Sequence, residues 1–198
     1  VLAGVLFAPQ VGLSSPLAAA AASGEDLLPA IKPQILPGFV GGVVGGTAIV
    51  LIAWLWTPIL PTTVVSLISQ FGKLTPLPTR VLYGGITEEL LLRWGLMTFL
   101  VWLAWRVFQK KRNAPTPAVF ALAIILSSLI FGIGHLPIAF MLFPAPPVSL
   151  VAFVITANSL FGFVAGFLFW KKGLESAMIA HMTAHLLMFA ASYLGAYF

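Results

Sequence analysis

ILPGFVGGVVGGTAIVLIAWLW, residues 35–56, runs for 22 residues without a charged side chain. At 1.5 Å of rise per residue, a helix of this length crosses the roughly 30 Å hydrocarbon core of a bilayer. Lipid offers no partner to a bare backbone N–H or C=O, so a lone apolar run of this kind resolves as a helix rather than an open strand. Gly41, Gly42, Gly45 and Gly46 give it a doubled small-xxx-small pattern. Such a face admits another helix at close range, from this chain or from a membrane-protein partner.

The rest of the chain has the same character. It is 60% hydrophobic and 8% charged with mean hydropathy +1.06, outside the range of water-soluble domains. Further apolar runs at about Val81–Phe108, Pro117–Phe143, Val148–Trp170 and Leu174–Phe198 bring the spans to five. The fold class is therefore all-α, a polytopic transmembrane helical bundle, with a sixth span if the N-terminus also crosses. Residues 1–33 form an apolar segment and connector, and residues 34–198 a single bundle domain. Val1–Ser23 is alanine-rich but carries Pro9 and Pro16 and no basic flank, which fits neither a clean span nor a complete signal peptide. It reads as an irregular first helix, followed by a polar connector over Gly24–Lys32. Thr62–Leu74, bounded by prolines, reads as an interfacial helix.

Ten Lys and Arg stand against five Asp and Glu. The basic residues gather in loops 106–112 and 170–173, which the positive-inside rule places in the cytoplasm. This pattern serves orientation in the lipid bilayer and excludes a nucleic-acid partner. Trp102, Trp105 and Trp170 beside these loops read as interfacial anchors. The chain has no cysteine, so thiolate ligands and thiol nucleophiles are excluded.

Function is sought among the charges at membrane depth, each costing about 2.5–3.5 kcal/mol even on the lenient insertion scale. Glu89 and Arg93, four residues apart, share a helix face as an ion pair. Glu88 points about 100° away and keeps a carboxylate with no local partner, the candidate base. His135 follows two glycines in Phe131-Gly132-Ile133-Gly134. His181 and His185 are spaced to offer two imidazoles to one ion, although Met182 replaces the glutamate of the zincin motif. Two schemes stay open. In one, His135, His181 and His185 hold a divalent metal such as zinc while Glu88 activates its water; in the other, Glu88 and His135 polarise water without metal. Both hydrolyse an acyl bond. Carboxylates and histidines inside spans also mark proton or metal pathways, but no inverted repeat is evident here.

Two adjacent glutamates with arginine four after the second, then phenylalanine with histidine four later, then histidine with a polar residue four later, resemble the CAAX protease and bacteriocin-processing family. That family of intramembrane proteases includes the prenyl-protein endoproteases of the Ras-converting type. The resemblance covers the last four spans. It implies an endopeptidase acting on membrane-embedded or lipidated peptides, with Glu88 as catalytic glutamate, Glu89 and Arg93 as its structural partners, and His135 acting with Glu88 on water. His181 would stabilise the oxyanion or bind metal. His185 departs from the asparagine or aspartate usual at its position. A scaffold role with a vestigial site, binding through the small-residue faces, is the alternative within the family.

Counting along the spans sets Glu88 and His135 roughly 10 Å from the side opposite the basic loops, and His181 about 10 Å from the cytoplasmic side. Tilted helices, an early end to the 148–170 span, or a dipping 171–175 loop would bring them together. Asn158 reads as an interhelical hydrogen-bonder.

Overall fold

The computed structural model describes residues 1–195. Helices α1 (Leu2–Val11) and α2 (Pro16–Ser23) meet at a bend of 100°. Helix α3 (Leu27–Trp56) follows, then α4 (Thr62–Leu74). A continuous rod, Leu77–Phe108, begins with α5 (Leu77–Thr79), passes through two π-wound stretches (Arg80–Glu88 and Leu90–Met97) and ends with α6 (Thr98–Phe108). Then come α7 (Pro117–Gly134), α8 (Leu136–Leu142), α9 (Val148–Lys171) and α10 (Leu174–Tyr193). Among the described residues, α3, the rod, α7 with α8, α9 and α10 are long and apolar enough to cross a membrane. The expected last span agrees up to Tyr193, and residues 196–198 lie outside the described residues.

The N-terminal expectation needs one correction. The stretch read as a connector to Lys32 is helical from Leu27, because the Asp26 side chain caps α3 by accepting from Leu28 N at 3.0 Å. Val1–Ser23 is two helices laid on the bundle. Phe7 of α1 stacks on Trp102 at 4.2 Å, and Gln10 Oε1 accepts from Trp102 Nε1 and Arg106 Nη2, each at 3.3 Å. Trp105, expected at the interface, is buried, and its Nε1 donates to Arg112 O at 3.1 Å.

The glycines of α3 serve the bundle itself. A Cβ at Gly42 would lie 2.5 Å from Ala180 O, and one at Gly46 3.0 Å from Ala184 Cα, so this face meets α10 through bare backbone. Gly45 faces Phe161 of α9, where a Cβ would lie 2.8 Å from the ring. Both small-residue faces are thus filled by this chain's own helices, and the partner expected through them finds no free surface there.

Leu174, Glu175 and Ser176, at the start of α10, are buried under the α1–α2 bend and α3: Leu174 N donates to Ser14 O at 3.1 Å, and Ser176 Oγ donates to Gln34 Oε1 at 2.6 Å. Further along α10, His181 lies beside Glu88 and Glu89 of the rod.

Candidate active site

The π winding of the rod sets up the site. A turn closed by i→i+5 bonds holds more than four residues, so positions four apart stand nearly above one another. Glu89 and Arg93 stack in this way, with Arg93 Nε 3.3 Å from Glu89 Oε2 and both side chains fully buried. Arg93 Nη2 also donates to Gly162 O at 3.2 Å, and its guanidinium lies over the Phe131 ring at 5.1 Å.

Glu88 and its neighbours form a second stripe on the rod. Arg80, Gly84 and Glu88 all face α10, running antiparallel to it. Arg80 lies over the Phe189 ring at 5.9 Å, and Glu88 Oε2 lies 3.8 Å from His181 Nε2. Between them Gly84 faces His185 Nε2 so closely that no Cβ fits there.

Two of the three imidazoles, His135 and His181, are oriented by their other nitrogen. The helix breaks at His135, between α7 and α8, where Pro137 sits in the first turn of α8. Its Nδ1 donates to the Phe131 carbonyl at 2.8 Å, which turns Nε2 toward Glu88 Oε1 at 4.0 Å. His181 Nδ1 donates to Glu89 Oε1 at 2.8 Å, which turns its Nε2 toward the other oxygen of Glu88. Fixing the tautomer through the far nitrogen is how proteins aim an imidazole at its task. The two Nε2 atoms therefore flank one carboxylate at separations that a single bridging water would satisfy.

His185 plays a different part from the one expected of a third ligand. Its ring stacks on His181 with centroids 4.9 Å apart and planes 12° from parallel, so the two rings do not aim at a common point. Among the described residues no three His, Asp or Glu side chains form a set able to hold a metal ion. His135, His181 and His185 are thus not gathered about one point in this arrangement: His185 lies flat against the His181 ring, while the Nδ1 bond to Glu89 leaves His181 Nε2 facing Glu88.

Glu88, 17% exposed, sits at the wall of a cavity of about 390 Å³ together with His135, His181 and His185. Apolar side chains such as Ile49, Phe71, Leu142, Leu150 and Phe153 line most of the remainder. Five polar lining residues were not singled out for the site from the sequence: Thr75, Thr79, Arg80, Tyr83 and Asn158. Asn158 bonds its own helix rather than another, donating from Nδ2 to Val154 O at 2.8 Å.

The fold is that of a polytopic helical membrane protein with a glutamate flanked by two imidazoles, and comparison narrows it. Residues 70–187 match the Rce1-like family, described as type II CAAX prenyl endopeptidase Rce1-like, and the chain belongs to that family of endopeptidases. No curated protein and no solved structure matches the chain.

Proposed function

We propose that this protein is an intramembrane endopeptidase in which Glu88 activates water. The observation that carries this reading is the placement of His135 Nε2 and His181 Nε2 at 4.0 and 3.8 Å from the two oxygens of Glu88, on the wall of an apolar cavity. Glu88 removes a proton from water held between itself and His135, and the hydroxide adds to the carbonyl carbon of the substrate. His181 Nε2 takes that proton from Glu88, its charge balanced by Glu89, and donates a hydrogen bond to the oxyanion. The proton passes from His181 to the leaving amine nitrogen as the C–N bond breaks, so His181 returns to its neutral form and Glu88 is already the carboxylate. His185 supports the ring of His181 from behind.

The cavity wall favours an apolar or lipidated peptide entering from the bilayer. Loops 106–112 and 170–173, both basic, face the cytoplasm in this reading. The test is cleavage of a lipidated peptide library by purified protein, wild type beside Glu88→Ala, each with and without a chelator. Cleavage that is lost in the variant and kept in chelator supports the mechanism. Loss of wild-type cleavage in chelator overturns the metal-free route, and no cleavage across the library overturns proteolysis.

A further inference from the structure

His181 and Glu89 come from different elements, α10 and the rod, and their 2.8 Å bond needs the two held in register. The N-terminal helices touch both. On the rod side, Gly4 of α1 lies so close to the Trp94 indole that no Cβ fits between them, and Trp94 follows Arg93 in the chain. On the other side, the bend between α1 and α2 sits on the turn that enters α10. A Cβ at Gly173 would lie 2.8 Å from Pro16 Cδ, and Leu174 N donates to Ser14 O at 3.1 Å.

Glu175 completes this junction. Ser15 precedes α2 but does not cap it; its Oγ donates to Glu175 Oε1 at 2.5 Å instead, and the same oxygen accepts from Leu17 N at 3.1 Å. The carboxylate thus stands in for a cap on α2, while the Ser14 carbonyl takes the first N–H of α10. Helical N–H groups point along the helix axis, so the bond to Ser14 bears on the axial position of α10. Glu175 is buried, six residues before His181, which is about 9 Å along the helix.

We propose that Glu175 is a positioning residue for hydrolysis: by locking the α1–α2 bend to the start of α10, it sets the height of His181 against Glu88 and Glu89. This assignment rests on the proteolytic reading of the site. A packed helix slides along its axis nearly as a unit, so a slip of about 1 Å at Glu175 reaches His181 and is enough to break its bond to Glu89. Misplacement of that size costs about 10²-fold in rate. Ser15 and Leu17 lie outside residues 70–187, so a segment beyond the family match holds a residue within it.

The experiment uses the full chain in detergent, labelled with nitrogen-15 at its histidines. It reads peptide cleavage and the tautomer of His181, whose signal is assigned by its absence from His181→Asn. Wild type is expected to show one tautomer, with the proton on Nδ1. Glu175→Ala is expected to show both tautomers at His181 and, at the scale of such a slip, a kcat about tenfold lower or less, with KM within about twofold because the cavity wall is unchanged. Glu175→Gln keeps an acceptor for Ser15 and Leu17, and is expected to restore the single tautomer and most of kcat. A merely structural role would lower the yield of folded protein without altering the His181 signal of the molecules that remain. Mixed tautomers in wild type overturn the assignment, as does a wild-type tautomer in folded Glu175→Ala, whatever its kcat. Glu175→Gln behaving as Glu175→Ala overturns the hydrogen-bonded lock as the cause. A tautomer lost in Glu175→Ala, in a protein whose wild type cleaves no peptide, overturns the proteolytic reading while Glu175 still positions His181. Where Glu175→Ala fails to fold, Ser15→Ala, which removes one of the two donors, decides by the same readings.

Discussion

His181 Nδ1 and Glu89 Oε1 are 2.8 Å apart, which makes Glu89 the point where the proposed catalytic imidazole and the buried Arg93 meet. Breaking a buried pair by removing one partner costs about 3–5 kcal/mol, because the other charge stays behind. Glu89→Ala and Arg93→Ala are each expected to destabilise the protein by about that amount. The double variant is expected to lose less than the sum, as the unpaired charge is gone. Thermal unfolding of the four proteins in detergent checks this.

Glu88 is held less firmly, with part of its surface open to the cavity. Glu88→Gln and His135→Ala are therefore expected to fold with an unfolding midpoint near that of wild type while cleavage falls by about 10²–10⁴. Peptide cleavage and thermal unfolding, measured on the same preparations, separate this outcome from general misfolding.

Gly42 and Gly134 lead to opposite expectations for the same kind of change. A Cβ at Gly42 meets the backbone carbonyl of Ala180, which cannot give way, whereas at Gly134 nothing lies within 4 Å. Gly42→Leu is expected to push α10 off α3 and to abolish cleavage along with stability. Gly134→Ala is expected to leave the unfolding midpoint at or above that of wild type, since an alanine in a helix is favoured over glycine by about 1 kcal/mol. Unfolding midpoints in detergent decide both.

Glu175 lies buried at the start of α10 and accepts from Ser15 Oγ at 2.5 Å and from Leu17 N at 3.1 Å. Glu175→Ala leaves those donors unpaired, at a cost of about 1–3 kcal/mol. The expected consequence is release of α1 and α2 from the bundle. Limited proteolysis should then cut the exposed Ser23–Gly24–Glu25 turn faster than in wild type.

The spans were legible because a bilayer admits few alternatives to a long apolar helix, and the separate helix Thr62–Leu74 was legible from the prolines around it. The pairing of Glu89 with Arg93 followed from four-residue spacing alone. The winding of the rod was not legible: the four-residue steps from Arg80 through Gly84 to Glu88, and from Glu89 to Arg93, suit an α turn as well as a π turn. Arg80 was left just outside the expected span beginning at Val81, although the structure sets it with Glu88 on the side of the rod that faces α10. The break at His135 had a signal in Pro137, which disfavours helical continuity across its first turn. For His185, identity and spacing suggested a ligand, and its stacking on His181 is a ring orientation that spacing does not specify.

His181 lies 92 residues beyond Glu89 in the chain. While the protein is being made, Glu89 and Arg93 can neutralise each other inside one rod long before α10 leaves the ribosome. Glu88 meanwhile has no imidazole from α10 to receive a proton, and the glycine face of α3 has nothing to close against. Hydrolytic competence in the proposed mechanism is thus a late property of biosynthesis, withheld from the nascent chain until α10 has threaded into place.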